Sequence, residues 1–379
     1  MLIKRKQNIK DSLRPGRALI VYGPRRIGKT TAVKEYLKYF ELDTKDKRTF
    51  FATGDDIKLR SLFNSEIRDD ILAFARLYDL IIVDEAQNIQ KLGIAIKIII
   101  DEFPEKIIIL TGSSSFQISQ NIGEPLTGRH YTLNYLPFAQ SEIEISDFER
   151  KNKLEEYLLY GSYPEVLSTE DVQEKQKILY ELVSSYLYKD ILAIENIRSP
   201  DALIKIVKCL AFQIGNEVSI NEIAKVVQLD GKTVQKYIDL LEKMFVIKRI
   251  TPYSNNLRNE ISKKCKYYFL DLGIRNAAIS QFNSLSDRDD MGGLWENFIF
   301  MELYKKSNIA EDFASFYFWR THTGHEVDIV KVHNNELYAY ECKWSTRKSK
   351  GVALFKEEYK DKIKSIEVVS RDNYLKILE

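Results

Sequence analysis

The chain has almost no net charge and only three cysteines among 379 residues. A formal balance of +2 excludes a global field that would by itself draw in nucleic acid, so any basic surface must be local. Cys209, Cys265 and Cys342 lie far apart in sequence. They offer neither a disulfide framework nor the close spacing of metal ligands, which suits a reducing compartment. Long apolar runs are missing too. The longest, such as Ile94 to Ile100 and Ile107 to Leu110, are far too short to span a bilayer. The opening Met-Leu-Ile-Lys-Arg-Lys-Gln lacks the apolar centre of a signal peptide. No repeat and no low-complexity tract occurs. These absences predict a cytoplasmic protein with no membrane partner. The hydrophobic content of 44% is that of an ordinary globular chain, and the length suggests two or three domains.

What is present centres on Gly23-Pro24-Arg25-Arg26-Ile27-Gly28-Lys29-Thr30, followed by Thr31. It fits G-x-x-x-x-G-K-[ST], the phosphate-binding P-loop, at every fixed position. Ala18 to Tyr22 before it reads as a buried parallel strand. Thr31 to Phe40 after it reads as a helix, with Val33, Tyr36, Leu37 and Phe40 at helical spacing. Gly23 and Gly28 allow a tight turn that aims backbone N–H groups inward. The helix N-terminus adds free N–H groups and the positive end of its dipole. Lys29 is expected at the β- and γ-phosphates of ATP and the Thr30 hydroxyl at Mg²⁺.

Leu80 to Glu85 is an apolar run ending in two acids, a Walker B pattern. Asp84 is expected in the Mg²⁺ shell, and Glu85 is expected to orient the attacking water. Gln87 is a weaker candidate beside them. Phe50 to Ala52 reads as a further strand, Asp69 to Tyr78 as a helix, and residues 1–16 as a basic helical lead-in. Ile107 to Leu110 repeats the strand form and runs into Thr111-Gly112-Ser113-Ser114-Ser115. Arg129 follows in Leu126-Thr127-Gly128-Arg129, and either a charge-neutralising role at the γ-phosphate or a surface position fits it.

These stretches resemble the AAA-type ATPases of bacteria and archaea that carry a C-terminal restriction-endonuclease-like domain. The resemblance extends over Tyr160-Gly-Ser-Tyr-Pro-Glu165, Tyr267-Tyr-Phe-Leu-Asp-Leu-Gly273, and His325-Glu-Val-Asp328 with Glu341-Cys-Lys343. It covers nearly the whole chain. It implies ATP binding firmly and a biological role only loosely. In such ATPases a strand ending in hydroxyls beside Walker B carries a γ-phosphate sensor, which makes Thr111 and Ser113 candidates; a serine-rich cap is the alternative. The expected fold is α/β, with a P-loop AAA-type core over 1–140, a helical lid over 141–200, a winged helix over 201–270 and a restriction-endonuclease-like α/β domain over 271–379.

Within the middle region, Leu154, Tyr157 and Leu158, then Ile178, Leu182, Tyr186 and Leu187, form apolar stripes. Leu203 to Ile214, a second helix opened by the capping box Ser219-Ile-Asn-Glu222, and Lys232 to Met244 predict a helix-turn-helix. Phe245 to Ile250 and Lys266 to Leu270 would pair as its wing. Lys232, Lys236, Arg258, Lys263, Lys264 and Lys266 are the candidates for phosphates of double-stranded DNA. A spacer with a solvated lysine face is the alternative, and Asp239 and Glu242 dilute the charge.

At the C-terminus, Leu294 to Tyr304 reads as a buried helix carrying Glu296. Strands are expected over Ser315 to Trp319, Glu326 to Val332, Leu337 to Trp344 and Ile366 to Ser370, with a helix over Val352 to Lys362. Asn334-Asn335 is a good two-residue hairpin turn. It pairs His333 with Glu336, and counting outward sets Asp328 opposite Glu341 and Glu326 opposite Lys343. Facing carboxylates repel unless they share a cation, so Asp328 and Glu341 are candidate ligands for Mg²⁺ or Mn²⁺, with Lys343 on the same face. This layout resembles the PD-(D/E)xK nucleases, some of which add a helical acid in the manner of Glu296. The expectation is an ATP-hydrolysing protein acting on DNA, with a metal-dependent nuclease-like domain and a possible homo-oligomeric state. The rival is a nucleotide-controlled switch whose nuclease-like domain is an inert interaction module.

Overall fold

The computed structural model describes residues 3–113, 126–184, 199–254, 264–344 and 350–378. The chain forms two compact units, one of Arg5–Leu136 with Lys243–Phe245, the other of Pro137–Glu242 with Val246–Glu379 and the first residues. Among the described residues no helix is long and apolar enough to cross a membrane.

The first unit is built on five strands, β1 (Ala18–Tyr22), β2 (Thr49–Thr53), β3 (Leu80–Asp84), β4 (Ile107–Gly112) and β5 (His130–Asn134). Their order is β2-β3-β4-β1-β5, and every neighbouring pair is parallel. β1 and β3 are buried at all five positions, as strands covered on both faces must be. Helix α1 (Lys29–Asp43) follows the P-loop, α2 (Ile57–Asn64) is capped by Asp56, α3 is Arg68–Arg76, and α4 (Leu92–Glu102) buries Ile96, Ile99 and Ile100. The basic lead-in is helical only over Ile9–Ser12. Because all strands run one way, the C-terminal ends of β1, β3 and β4 meet at one edge of the sheet. That edge is where ligands bind in open parallel sheets.

The second unit begins with helices α5 (Leu154–Tyr160), α6 (Val172–Leu182), α7 (Pro200–Phe212), α8 (Ile220–Val227) and α9 (Gly231–Lys243). Tyr186 and Leu187 lie outside the described residues. Ser219 caps α8 through the amide of Glu222, as the capping box predicts. Next come β6 (Ile247–Pro252), β7 (Lys266–Phe269), α10 (Leu272–Ala278) and α11 (Met291–Ala310). The chain closes with β8 (Ser315–Arg320), β9 (Glu326–His333), β10 (Glu336–Cys342), α12 (Lys350–Glu358), β11 (Ile363–Val369) and α13 (Tyr374–Leu378).

The six strands of this unit form one sheet in the order β11-β10-β9-β8-β6-β7. β6 and β7 make the antiparallel hairpin expected as a wing, but the hairpin does not stand free. β6 pairs in parallel with β8 at Thr251 and Tyr317 and at Pro252 and Phe318. The amide of Asn297 closes the backbone edge of β7, accepting from Phe269 N at 2.8 Å and donating to Phe269 O at 2.8 Å.

Two of the motifs that carry the family resemblance pack on each other here. Gly161 has φ +72°, and a Cβ on it would lie 2.1 Å from Asp271 Oδ1. A Cβ on Gly273 would lie 2.1 Å from Tyr160 O. Asp271 accepts from Ser162 N at 2.7 Å and caps α10 through Ile274 N at 3.1 Å.

Candidate nucleotide site and a second charged cluster

The P-loop leaves β1 at Gly23, whose φ is +154° and whose Cβ, if present, would sit 2.3 Å from Tyr135 O. Only glycine fits so close an approach. Gly28, at φ +94°, is the N-cap of α1, and among the described residues no atom lies within 4 Å of where its Cβ would be. The cap contributes no side-chain bond, and the first N–H groups of an α-helix have no partner within the helix. Ile27 is buried beneath the loop, while Arg25, Arg26 and Thr31 are exposed. Arg5 donates to Ile27 O at 2.9 Å. Lys29 is buried, and its ammonium folds back onto Gly23 O at 2.9 Å and Pro24 O at 2.8 Å. Burial lowers its pKa to about 8; Glu85 and Asp84 oppose the shift and Arg25 adds to it.

β3 delivers Asp84 to the same edge. Its Oδ2 accepts from Thr30 Oγ1 at 2.8 Å and its Oδ1 from the Thr111 hydroxyl at the end of β4. Thr111 Oγ1 also accepts from Glu85 N at 3.2 Å. Glu85 adopts a left-handed φ of +49°. Gly54, at the end of β2, donates to Asp84 O at 2.7 Å, and a Cβ on it would lie 2.3 Å from Glu85 O. Gln87 Nε2 reaches both the Glu85 carboxylate and Ser113 Oγ, the latter at 3.3 Å. Gln87 Oε1 is buried with no hydrogen-bond partner among the described residues.

Lys29, Thr30, Asp84, Glu85, Thr111 and Ser113 thus converge, with Thr111 and Ser113 bonded to the Walker B residues or to Gln87. The donors fit a nucleotide triphosphate: an ammonium, bare helix N–H groups and open space above Gly28. The Thr30 hydroxyl and Asp84 carboxylate, already in contact, are the hard oxygen donors that Mg²⁺ takes alongside phosphate oxygens. The sequence assigns no part to Gly54, which lies past the strand expected over Phe50 to Ala52.

Arg129 does not join this group. It precedes β5, and its carbonyl accepts from Ala18 N at 2.9 Å, at the start of β1. Its guanidinium pairs with Asp101 at 2.7 Å. The full length of β1, roughly 13 Å, separates it from the P-loop of its own chain.

In the second unit the Asn334-Asn335 turn forms with both residues left-handed, at φ +50° and +66°. His333 pairs with Glu336, and the ladder continues to Ile329 and Tyr340. Asp328 and Glu341, the next residue along each strand, are both buried. Asp328 Oδ2 accepts from Cys342 N at 2.7 Å, and Glu341 Oε1 pairs with Lys343 at 2.7 Å. Glu341 Oε2 is buried with no hydrogen-bond partner among the described residues. Glu296 on α11 is bound by Lys266 at 2.8 Å and by Tyr268 OH at 2.5 Å. Burial and Glu296 push the Asp328 carboxyl well above its ordinary range, while Lys266 and Lys343 pull it back. Among the described residues no three His, Cys, Asp or Glu side chains are grouped so as to hold a metal ion. Three of the six carboxylate oxygens, Asp328 Oδ2, Glu341 Oε1 and Glu296 Oε1, are bound by protein donors.

Of the lysines expected at DNA, Lys232 and Lys236 are exposed on α9 and Lys264 is exposed before β7. Lys266 is buried, and Arg258 and Lys263 lie outside the described residues. Asp239, farther along α9, is paired with Arg249 at 3.2 Å.

Comparison with known proteins follows the same division. Residues 15–144 match the family model of an AAA domain. Residues 151–285 and 291–377 match two domains of unknown function, DUF8612 and DUF4143. An uncharacterized protein of Mycobacterium tuberculosis is 25% identical across 90% of this chain and 74% of its own length. One of Methanocaldococcus jannaschii is 24% identical across 94% of this chain and 81% of its own. Among solved structures, AMPPCP-bound DnaA from Aquifex aeolicus is 18% identical, covering 60% of this chain and 81% of that one at a TM-score of 0.32. At that score the likeness bears on neither fold nor function. The P-loop, the parallel sheet and the family match make residues 15–144 a P-loop AAA-type domain.

Proposed function

We propose that the chain hydrolyses ATP and uses the hydrolysis to act on DNA. The observation that carries the first part is the convergence of Lys29, Thr30, Asp84, Glu85 and Thr111 at one sheet edge. Lys29 would exchange its two carbonyl partners for the β- and γ-phosphates and offset their charge. The N–H groups at the start of α1 would bind phosphate oxygens. Thr30 and Asp84 would hold Mg²⁺, which supplies further charge neutralisation. Glu85 would accept a hydrogen bond from the attacking water and so aim it at the γ-phosphorus. Gln87 holds the Glu85 carboxylate at present and would position it.

The test pairs calorimetry with phosphate release. Lys29→Ala should bind ATP at least tenfold more weakly and not hydrolyse it, on the order of one lost charge-assisted contact or more. Glu85→Gln should bind ATP as wild type does while turnover stalls. Equal ATP affinity for wild type and Lys29→Ala would remove the central assignment.

DNA contact rests on Lys232 and Lys236, exposed one turn apart on α9. Arg129, far from its own P-loop, is proposed to act on a neighbouring copy's nucleotide within a homo-oligomer. Metal-dependent cleavage by Asp328, Glu341 and Lys343 competes with an inert C-terminal module. The buried Lys266–Glu296 pair favours the inert module.

A further inference from the structure

We infer that Lys266 is the resident countercharge of the C-terminal acidic cluster, and that Glu296, Asp328 and Glu341 form a lysine-neutralised core instead of a divalent-metal centre. The inference develops the inert reading of the C-terminal module and is independent of the ATPase assignment.

Lys266 and Tyr268 are two residues apart on β7, so strand alternation turns both to one face, toward Glu296 on α11. Both donate to the same oxygen, Glu296 Oε1. The Lys266 ammonium also lies 5.4 Å from the centre of the Phe318 ring on β8, a second favourable contact for a cation. The residue is 1% exposed, so water cannot screen it. Lys343 supplies a second ammonium to Glu341. Glu296 and Glu341 therefore each hold a lysine ammonium at hydrogen-bond distance. Glu341 Oε2 is buried with no hydrogen-bond partner among the described residues.

A divalent ion entering this cluster would meet the buried Lys266 ammonium held on Glu296. It would have to displace that ammonium from Glu296 to gain the helical acid. The repulsion is strong in so dry a setting. Lys266 takes the place in charge, though not in chemistry, that the metal holds in a nuclease. An ammonium has no empty coordination position with which to bind a phosphate oxygen or a water, so the cluster lacks the means of metal-assisted cleavage.

The experiment is Mn²⁺ titration by calorimetry on the full chain, without nucleotide, in an Asp84→Asn background that silences the nucleotide site. The parent should bind no Mn²⁺ at the C-terminal acids. Lys266→Met should raise Mn²⁺ affinity by about tenfold or more, since it removes one close unit charge. Adding Asp328→Asn should abolish the gain. Mn²⁺ bound by the parent and lost with Asp328→Asn overturns the inference. So does a folded Lys266→Met protein that binds no more Mn²⁺ than its parent. If Lys266→Met does not fold, the parent and Asp328→Asn titrations still decide. Where Lys266→Met folds, adding Glu296→Gln should recover the unfolding temperature that the single change loses. Equal loss in both variants would mean that the ion pair does not hold the cluster, and would overturn the inference too.

Discussion

Replacing Thr111 by valine removes one hydroxyl and almost no volume. The site is fully buried, so no water replaces what is lost. Two bonds go. Asp84 loses one of its two hydroxyl donors and keeps Thr30. The Glu85 amide loses its acceptor at 3.2 Å. A bond to a charged group contributes about 1.5–3 kcal/mol, and stranding a buried amide costs about 1–3 kcal/mol. The added methyl returns part of this, leaving a net of about 2–4 kcal/mol. If that energy positions the Walker B acids for the transition state, kcat falls by roughly 30-fold to 1000-fold. KM for ATP should hold, because Lys29 and the N–H groups of α1 are untouched. Phosphate release across a range of ATP concentrations reads both quantities, and a melting curve reads the stability loss. Thr111→Ser keeps the hydroxyl and should stay within a few-fold of wild type. A Thr111→Val protein with wild-type kcat and wild-type unfolding temperature would refute the role assigned to this hydroxyl.

Lys29 has a pH signature with two signs. Its pKa is about 8 in the folded protein against an ordinary 10.5, so between those values the unfolded chain holds the extra proton and folded stability rises with pH. ATP favours the ammonium, so its affinity should fall about tenfold per pH unit above 8, and Lys29→Arg should flatten that slope. Mixing Arg129→Ala with Lys29→Ala protein should restore some hydrolysis at mixed interfaces; a monomer with ATP bound and full activity would exclude this. Lys232→Ala with Lys236→Ala should weaken binding to all DNA sequences alike and reduce the slope of log affinity against log salt, measured by fluorescence anisotropy.

The nucleotide site was largely legible because its signals are local. The P-loop, the strand before it and the acids of Leu80 to Glu85 lie within short windows whose residue types report their backbone. The Asn334-Asn335 turn was legible for the same reason, and it carried the register of β9 and β10 with it. Helix ends were read to within a few residues; the third helix of the helix-turn-helix spans Gly231–Lys243 where Lys232 to Met244 was expected. Lys266 was misplaced among the surface lysines of a wing. Its partner, Glu296, sits 30 residues later on another element, and nothing near Lys266 in sequence marks it as buried. For Arg129 the sequence leaves a γ-phosphate role and a surface position equally open. Strand direction sets it away from the P-loop of its own chain, since a residue before a parallel strand lies at the edge opposite a residue after one.

The pairing of β6 with β8 bears on how this protein can be cut. Residue 270 looks like a natural place to separate a DNA-contacting piece from a C-terminal piece. A C-terminal fragment begun there would carry β8 with its edge unpaired at Tyr317 and Phe318, a ready template for another chain. It would also keep Glu296 while discarding Lys266 and Tyr268, leaving a carboxylate in an apolar setting without its counter-ion. Such a fragment should aggregate for reasons unrelated to its chemistry. A fragment begun ahead of α7 keeps the hairpin, the closed edge and the ion pair together.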